Sequence, residues 1–370
     1  MKPMKTIALL YGGRSGEHEV SCCSAASVYD ALDRTKYNVV AVAVDKDGKW
    51  YPQKSAEFKS VEGFGRVLDI KRDGLWFVNH FPENDKLVIR NIKSGEEITA
   101  DAVFPVMHGT YCEDGTLQGL LDLAGVPYVG SGVLGSSVGM DKDFAKKILD
   151  ESGIPVVPWI TVIPSDLDSS YDFLVEELEM ELGYPCFVKP ANAGSSVGIT
   201  KVKKESELKP ALLAAFEYDR KVIIEKAVNC REIECAVMGN SVPKASVLGE
   251  INSTHEFYSY EAKYIDSHGA ETKIPADIDD KVTEEIRECA ELAYEALNLE
   301  GLSRVDFFLD KESGEFYLNE VNTLPGFTSI SMYPKLWEKT GVNFASLLDM
   351  LIDFAIERHG LKSNLKVDFS

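Results

Sequence analysis

Three side chains with hard oxygen donors, Asp306, Glu320 and Asn322, fall in what reads as a single β-hairpin. Its arms are residues 304–309 and 316–322, joined by Glu312-Ser313-Gly314. A three-residue loop ending in glycine predicts a type I turn plus bulge, because its last residue takes the left-handed conformation glycine tolerates. In that register Lys311 faces Glu315, so Asp306 faces Glu320 and Arg304 faces Asn322. Alternation along the strands then puts all four on one face. Two carboxylates and an amide oxygen suit magnesium or manganese brought in with a phosphate. The plainer reading of the same pattern is a solvent-facing polar row on an edge hairpin.

A second group is cationic. Val188-Lys189-Pro190 runs into a glycine and serine loop at residues 193–198. A lysine at a strand end, followed by unblocked backbone N–H groups, suits a polyphosphate; a flexible surface connector with an incidental lysine has the same composition. It is not a P-loop, since GxxxxGK[ST] occurs nowhere in the chain. Gly130-Ser131-Gly132-Val133-Leu134-Gly135 does match GxGxxG and follows an apolar run, which keeps a nicotinamide oxidoreductase as a rival. The acid that fingerprint wants about 20 residues on is replaced by Asp141 and Asp143, which come too early. Lys142 begins a predicted helix, where the dipole disfavours a cation unless flanking acids offset it. Glu17 sits where any helix-start acid is favoured, and His108 before Gly109 reads in isolation as a loop histidine. Residues 254–264 crowd Phe257, Tyr258, Tyr260 and Tyr264 among His255, Glu256 and Lys263 without period, which fits a lid or an ordinary packed surface loop.

The elements that must carry these groups follow from apolar patterning. Residues 6–11, 20–32 and 39–44 read as one βαβ unit, whose strand ends meet the Gly12-Gly13-Arg14-Ser15-Gly16-Glu17 turn. Residues 45–101 lack helical period and read as a small antiparallel insertion. The sheet resumes at 103–107, a helix at 116–124 stops at Gly125, and 126–129 reads as a further strand. A helix at 141–151 carries Phe144 and Ile148 on one face and is ended by Gly153. Strands at 187–189 and 222–225, a helix near 205–216, an amphipathic helix at 279–297 and a last helix at 343–358 complete the chain.

Length and composition narrow the function. With 370 residues there is chain for two or three domains. Sixty acids against 39 Lys and Arg give a net charge of −21. A surface this acidic repels phosphodiester backbones and anionic lipid, so neither nucleic acid nor membrane is an expected partner. The apolar run at 7–11 is too short for a signal peptide or a span. Seven cysteines without a CxxC pair read as reduced thiols of a cytoplasmic protein.

In their order these segments resemble the ATP-grasp superfamily, and within it the D-alanine–D-alanine ligases. The resemblance is carried by residues 12–21, His108-Gly109, Glu113-Asp114-Gly115, Met140-Asp141-Lys142, Val188-Lys189-Pro190 with 194–198, and Ile224-Glu225-Lys226. It continues through 260–264, Arg304-Val305-Asp306, 319–323 and 325–329. It implies an α/β and α+β fold: an amino-terminal doubly wound α/β domain over 1–130, then an ATP-grasp pair of α+β domains over 131–225 and 226–370. It implies ATP-dependent joining of two D-alanine molecules through an acylphosphate, and commonly a homodimer. By resemblance Lys142 and Lys189 hold phosphates, with Ser195 and Ser196 in a loop closing over them. Glu225 and Glu232 serve the adenine and ribose. Asp306, Glu320 and Asn322 bind two Mg2+ or Mn2+ ions. Glu17 pairs with the first ammonium and His108 with its carboxylate, Arg304 and the Gly326 N–H steady the oxyanion, and Ser331 and Met332 hold the second carboxylate. Lys263 and Tyr264 belong to the lid, Tyr264 closing against Ser195 and Glu17. The sequence departs from the pattern at Thr110-Tyr111-Cys112, where many members carry glycine.

Overall fold

The computed structural model describes residues 4–253 and 270–366. Strand β1 (Lys5–Gly12) is apolar on both faces because both are covered. Ile7, Leu9 and Tyr11 pack with α1 (His18–Ala31), while Ala8 and Leu10 pack with α2 (Thr116–Ala124). β2 (Tyr37–Val44) and β9 (Ala102–Met107) flank β1 in parallel, and β3 (Trp50–Pro52) adds an antiparallel edge. Between them the insertion folds as the pair β4 (Phe58–Val61) and β5 (Gly65–Leu68) and the three-stranded sheet β6 (Trp76–Val78), β7 (Leu87–Asn91) and β8 (Glu97–Ala100). Gly12, at φ +91°, ends β1; a Cβ there would lie 2.2 Å from the Val44 carbonyl oxygen. Only glycine allows the chain to turn this close to the neighbouring strand.

The rest of the chain is antiparallel and helical. A second sheet orders β10 (Trp159–Val162), β13 (Val222–Lys226), β11 (Cys186–Pro190) and β12 (Thr200–Val202). Its core is filled from α6 (Tyr171–Glu181), which follows the short α5 (Pro164–Ser169), and from α7 (Glu205–Ala215). A third sheet orders β16 (Ala270–Lys273), β15 (Lys244–Ser253), β14 (Cys230–Gly239), β17 (Gly301–Asp310) and β18 (Phe316–Asn322). Its Ile233, Cys235, Val305 and Phe307 pack on α8 (Asp280–Ala296). Its Ala236, Met238 and Leu302 face α9 (Met332–Thr340) and α10 (Phe344–Ser363). The expected α/β and α+β architecture is therefore present. The divisions proposed at 130 and 225 fall at the Gly130 turn before α3 (Val133–Met140) and at the end of β13.

Three expectations are corrected. Residues 126–129 form no strand, only a bridge from Val103 to Tyr128; Pro127 has no N–H to extend the ladder. The final helix runs on to Ser363. On α4 (Lys142–Glu151) the buried face is Asp143, Ala145, Lys146 and Leu149, and Phe144 is exposed. Charged partners, described below, take the place the apolar pattern assigned to Phe144. The GxGxxG match is not a dinucleotide fingerprint, in line with its missing acid: its glycines serve close packing, since a Cβ on Gly130 would lie 2.9 Å from the Leu324 side chain and one on Gly135 2.5 Å from the Asn298 carbonyl oxygen. Helix α3 opens after the second glycine, not at the third.

Candidate active site

The hairpin of β17 and β18 pairs Arg304 with Asn322 and Asp306 with Glu320, as the sequence predicts, by a different route. Near the turn Leu309 faces Phe316, so the loop is four residues long, and Gly314 supplies the left-handed φ of +75°. A bulge beside Asp306, with Asn319 as its extra residue, then restores the register. A bulge sharpens local twist and re-aims side chains; here Asn319, Glu320 and Asn322 all line one cleft with Arg304 and Asp306.

Arg304 is the centre of this face. Its Nε and one terminal nitrogen donate to the two Asp306 oxygens at 2.7 Å each, and Nε lies 3.0 Å from Glu234 Oε2. Burial works against its charge, but Asp306, Glu234 and Glu320 outweigh it and hold the guanidinium more firmly protonated than usual. Asn322 Nδ2 donates to Asp306 Oδ2 at 2.9 Å, which leaves the amide oxygen as its remaining acceptor. Lys142 begins α4, where Asp141 caps the helix; its Nζ donates to the Ala193 carbonyl at 2.7 Å and lies 3.6 Å from Glu320 Oε2.

The serine loop lies against the first domain. Ser195 and Ser196 both take left-handed φ, at +49° and +60°, and the Ser195 hydroxyl donates to Glu17 Oε1. Glu17 is the N-cap residue of α1, one position ahead of the predicted first turn. Ser331 is the N-cap residue of α9 and lines the cleft; its hydroxyl turns away from the helix N–H groups to accept from the Thr328 N–H at 2.9 Å, and a side chain on Gly326 would meet it at 2.8 Å. Glu232 and Met332 also line the cleft. Lys263 and Tyr264 lie outside the described residues.

Two predicted site residues stand differently. Glu225 does not reach the cleft lining; it is buried, with Lys146 Nζ at 2.8 Å from one oxygen and Lys189 on the other. Burial pushes this carboxyl up, but the two ammonium groups prevail and hold it at about 2. His108 lines the cleft, yet its ring is engaged at both ends. Nδ1–H donates to the Leu324 carbonyl at 2.9 Å, and Nε2 lies 3.3 Å from Ser24 Oγ, which also accepts from the Phe327 N–H. Burial lowers its pKa, so the ring is a neutral strut for the loop that bears Gly326.

Three residues without a predicted role stand at or behind the cleft: Glu234 and Glu113 line it, and Lys146 lies behind it against Glu225. Glu234 shares a strand face with Glu232, which i, i+2 alternation signals. Lys146 follows Lys142 by one helical turn. Glu113 accepts from the Gly109 N–H at 2.8 Å and the Leu324 N–H at 3.2 Å. Ahead of it Tyr111 holds φ +66°, the conformation glycine would take in the related pattern, and remains exposed to solvent.

Burial, and secondarily Glu17, raise the Glu113 carboxyl to about 8. Because the folded pKa lies above the ordinary value, the native state favours the proton. Stability from this group is complete below pH about 4 and is lost as pH rises through 8, by up to about 5 kcal/mol. Glu113→Gln is expected to abolish that slope, beneath a constant offset for the acceptor it loses. Urea midpoints of both proteins at pH 5, 7 and 9 check this.

The donor set fits a divalent ion. Among the described residues no three His, Cys, Asp or Glu side chains are placed to hold a metal by themselves, so a metal here would draw on Asp306, Glu320 and the Asn322 oxygen and complete its shell from phosphate and water. That is how magnesium is commonly held.

Comparison with known proteins gives a consistent result. Models described as D-ala D-ala ligase N-terminus and D-ala D-ala ligase C-terminus match residues 6–131 and 148–353. The D-alanine--D-alanine ligase of Thermoanaerobacter sp. (strain X514) is 47% identical over 360 residues, covering 97% of this chain and 98% of its own. The solved D-alanine-D-alanine ligase from Coxiella burnetii superposes with a TM-score of 0.79 at 35% identity, covering 97% of this chain and 96% of its own. VanG D-Ala:D-Ser ligase from Enterococcus faecalis does so at 0.78 and 35%, covering 95% and 99%.

Proposed function

This chain belongs to the D-alanine–D-alanine ligase family, and on that premise we propose how its residues divide the work. The enzyme joins two D-alanine molecules at the cost of one ATP, for peptidoglycan precursor synthesis. The first carboxylate attacks the γ-phosphate to give an acylphosphate and ADP, the amine of the second D-alanine attacks that carbonyl, and phosphate leaves.

A carboxylate approaching a triphosphate is electrostatically opposed, so the site must gather positive charge where negative charge builds. Lys142, Lys189 and Arg304 provide it, all lining the same cleft. A divalent ion held by Asp306, Glu320 and Asn322 would neutralise phosphate oxygens; we assign Mg2+, two ions, with Mn2+ as a substitute. Ser195 and Ser196 fold the loop over the phosphates while Ser195 ties it to Glu17, and Glu17 meets the ammonium of the first D-alanine. Arg304 and the Gly326 N–H face the tetrahedral oxyanion. Ser331 and Met332, at the start of α9, offer helix N–H groups and the positive dipole end to the second carboxylate. Glu232 serves the ribose, and Lys263 and Tyr264 complete the closure.

The observation that carries this reading is the convergence of Lys142, Lys189 and Arg304 with Asp306, Glu320 and Asn322 in one cleft. Phosphate release is expected to require ATP, a divalent ion and D-alanine together. Release as fast with L-alanine, or tight saturable binding of NADH, would count against it. We further propose a homodimer, and a cytoplasmic location. The cysteines are all free, as a reducing compartment would keep them, and no described helix is long and apolar enough to cross a membrane.

A further inference from the structure

Behind Lys189 lies a line of buried charge that the steps above leave unused. Lys146 is 1% exposed, one helical turn beyond Lys142 on α4. Its Nζ sits 2.8 Å from Glu225 Oε1, donates to the Val157 carbonyl at 3.2 Å, and lies 5.6 Å from the Trp159 ring centre. Glu225, equally buried, presents its other oxygen to Lys189 Nζ. Of the three, only Lys189 lines the cleft.

The order of charges is plus, minus, plus. A buried carboxylate paired with Lys189 alone would form a closed neutral pair and cancel the charge the phosphates need. A second ammonium on the far oxygen changes that balance, because it satisfies Glu225 from behind. Burial and the neighbouring lysines push the Lys146 ammonium down and Glu225 opposes them; with Glu225 ionised between the two lysines and both of them protonated, the line carries one net positive charge. Lys189 alone is open to the nucleotide, so that charge is expressed at the cleft wall.

We infer that Lys146 is a positioning residue for the nucleotide phosphates: by neutralising Glu225 from the protein interior it leaves Lys189 its positive charge at the cleft. This rests on the reading of the cleft as an ATP site. Lys146 touches no substrate; it acts through Glu225 and Lys189.

Calorimetric titration of the full chain with ADP, and with adenosine as the uncharged control, tests it. Lys146→Met is expected to weaken ADP by about tenfold or more and leave adenosine unchanged. Adding Glu225→Gln to it removes the uncancelled carboxylate and should bring ADP affinity back to within about threefold of wild type. Unchanged ADP binding in K146M, parallel loss of ADP and adenosine, or no recovery in the double variant would each overturn the inference. Should K146M not fold, the charge-balanced double variant decides alone: ADP affinity near wild type supports the inference and a tenfold loss refutes it. Wild-type protein that binds neither ligand would instead remove the nucleotide reading, and this inference with it.

Discussion

Replacing Glu320 with alanine is expected to lower kcat by about a thousandfold or more while leaving the protein folded. The two halves of that expectation have separate causes. Glu320 stands on β18 with its side chain 28% exposed, and Lys142, 3.6 Å from it, keeps the Ala193 carbonyl when Glu320 is gone. No buried charge is stranded, so stability should move by less than about 1 kcal/mol. Chemistry is another matter. Both Asp306 oxygens already accept from Arg304 and one also from Asn322, so a metal in this cleft depends on the second carboxylate, Glu320, for charge as well as for a ligand. Its removal strips charge stabilisation worth several kcal/mol from the transferring phosphoryl group. Single-turnover phosphate release, with thermal unfolding followed in parallel, measures both halves. A variant that keeps most of its turnover would show that the metal site has been placed on the wrong residues.

How far the sequence revealed this site depended on the kind of force involved. The unbroken apolar run of β1 made the parallel sheet readable, because burial on both faces demands one. Helices α2 and α8 were readable because their ends coincide with Gly125 and Asp279. The cross-strand pairs of the hairpin agree with the sequence pattern although the loop is one residue longer than that pattern implies. The bulge at Asn319 compensated, and no local residue pattern announces a bulge whose purpose is to aim side chains. Buried charge was the largest blind spot. Apolar periodicity on α4 favours Phe144, yet the structure turns Lys146 inward, because Glu225 lies 79 positions away in sequence and only the fold brings it near. His108 and Glu113 are similar: both tie to the carbonyl and N–H of Leu324, more than 200 residues distant. Short-range rules see helices and turns; they do not see struts between domains.

Arg304 should show a combined loss of stability and activity, and the two can be separated by the choice of substitution. In Arg304→Met the carboxylates of Asp306 and Glu234, 9% and 6% exposed, lose the cation that balances them. Breaking such a pair from one side costs about 3 kcal/mol or more, so the unfolding midpoint in urea should fall clearly. Turnover should fall by about a hundredfold to a thousandfold, the usual effect of removing one donor aimed at a developing oxyanion. Arg304→Lys keeps the positive charge but not the planar fork that grips both Asp306 oxygens. Most of the stability should therefore return while kcat stays depressed by about tenfold or more. If lysine restored rate and stability together, Arg304 would be acting through charge alone. Full activity in the methionine variant would show that the guanidinium serves only the fold, and the oxyanion would then have to be met by the Gly326 N–H without it.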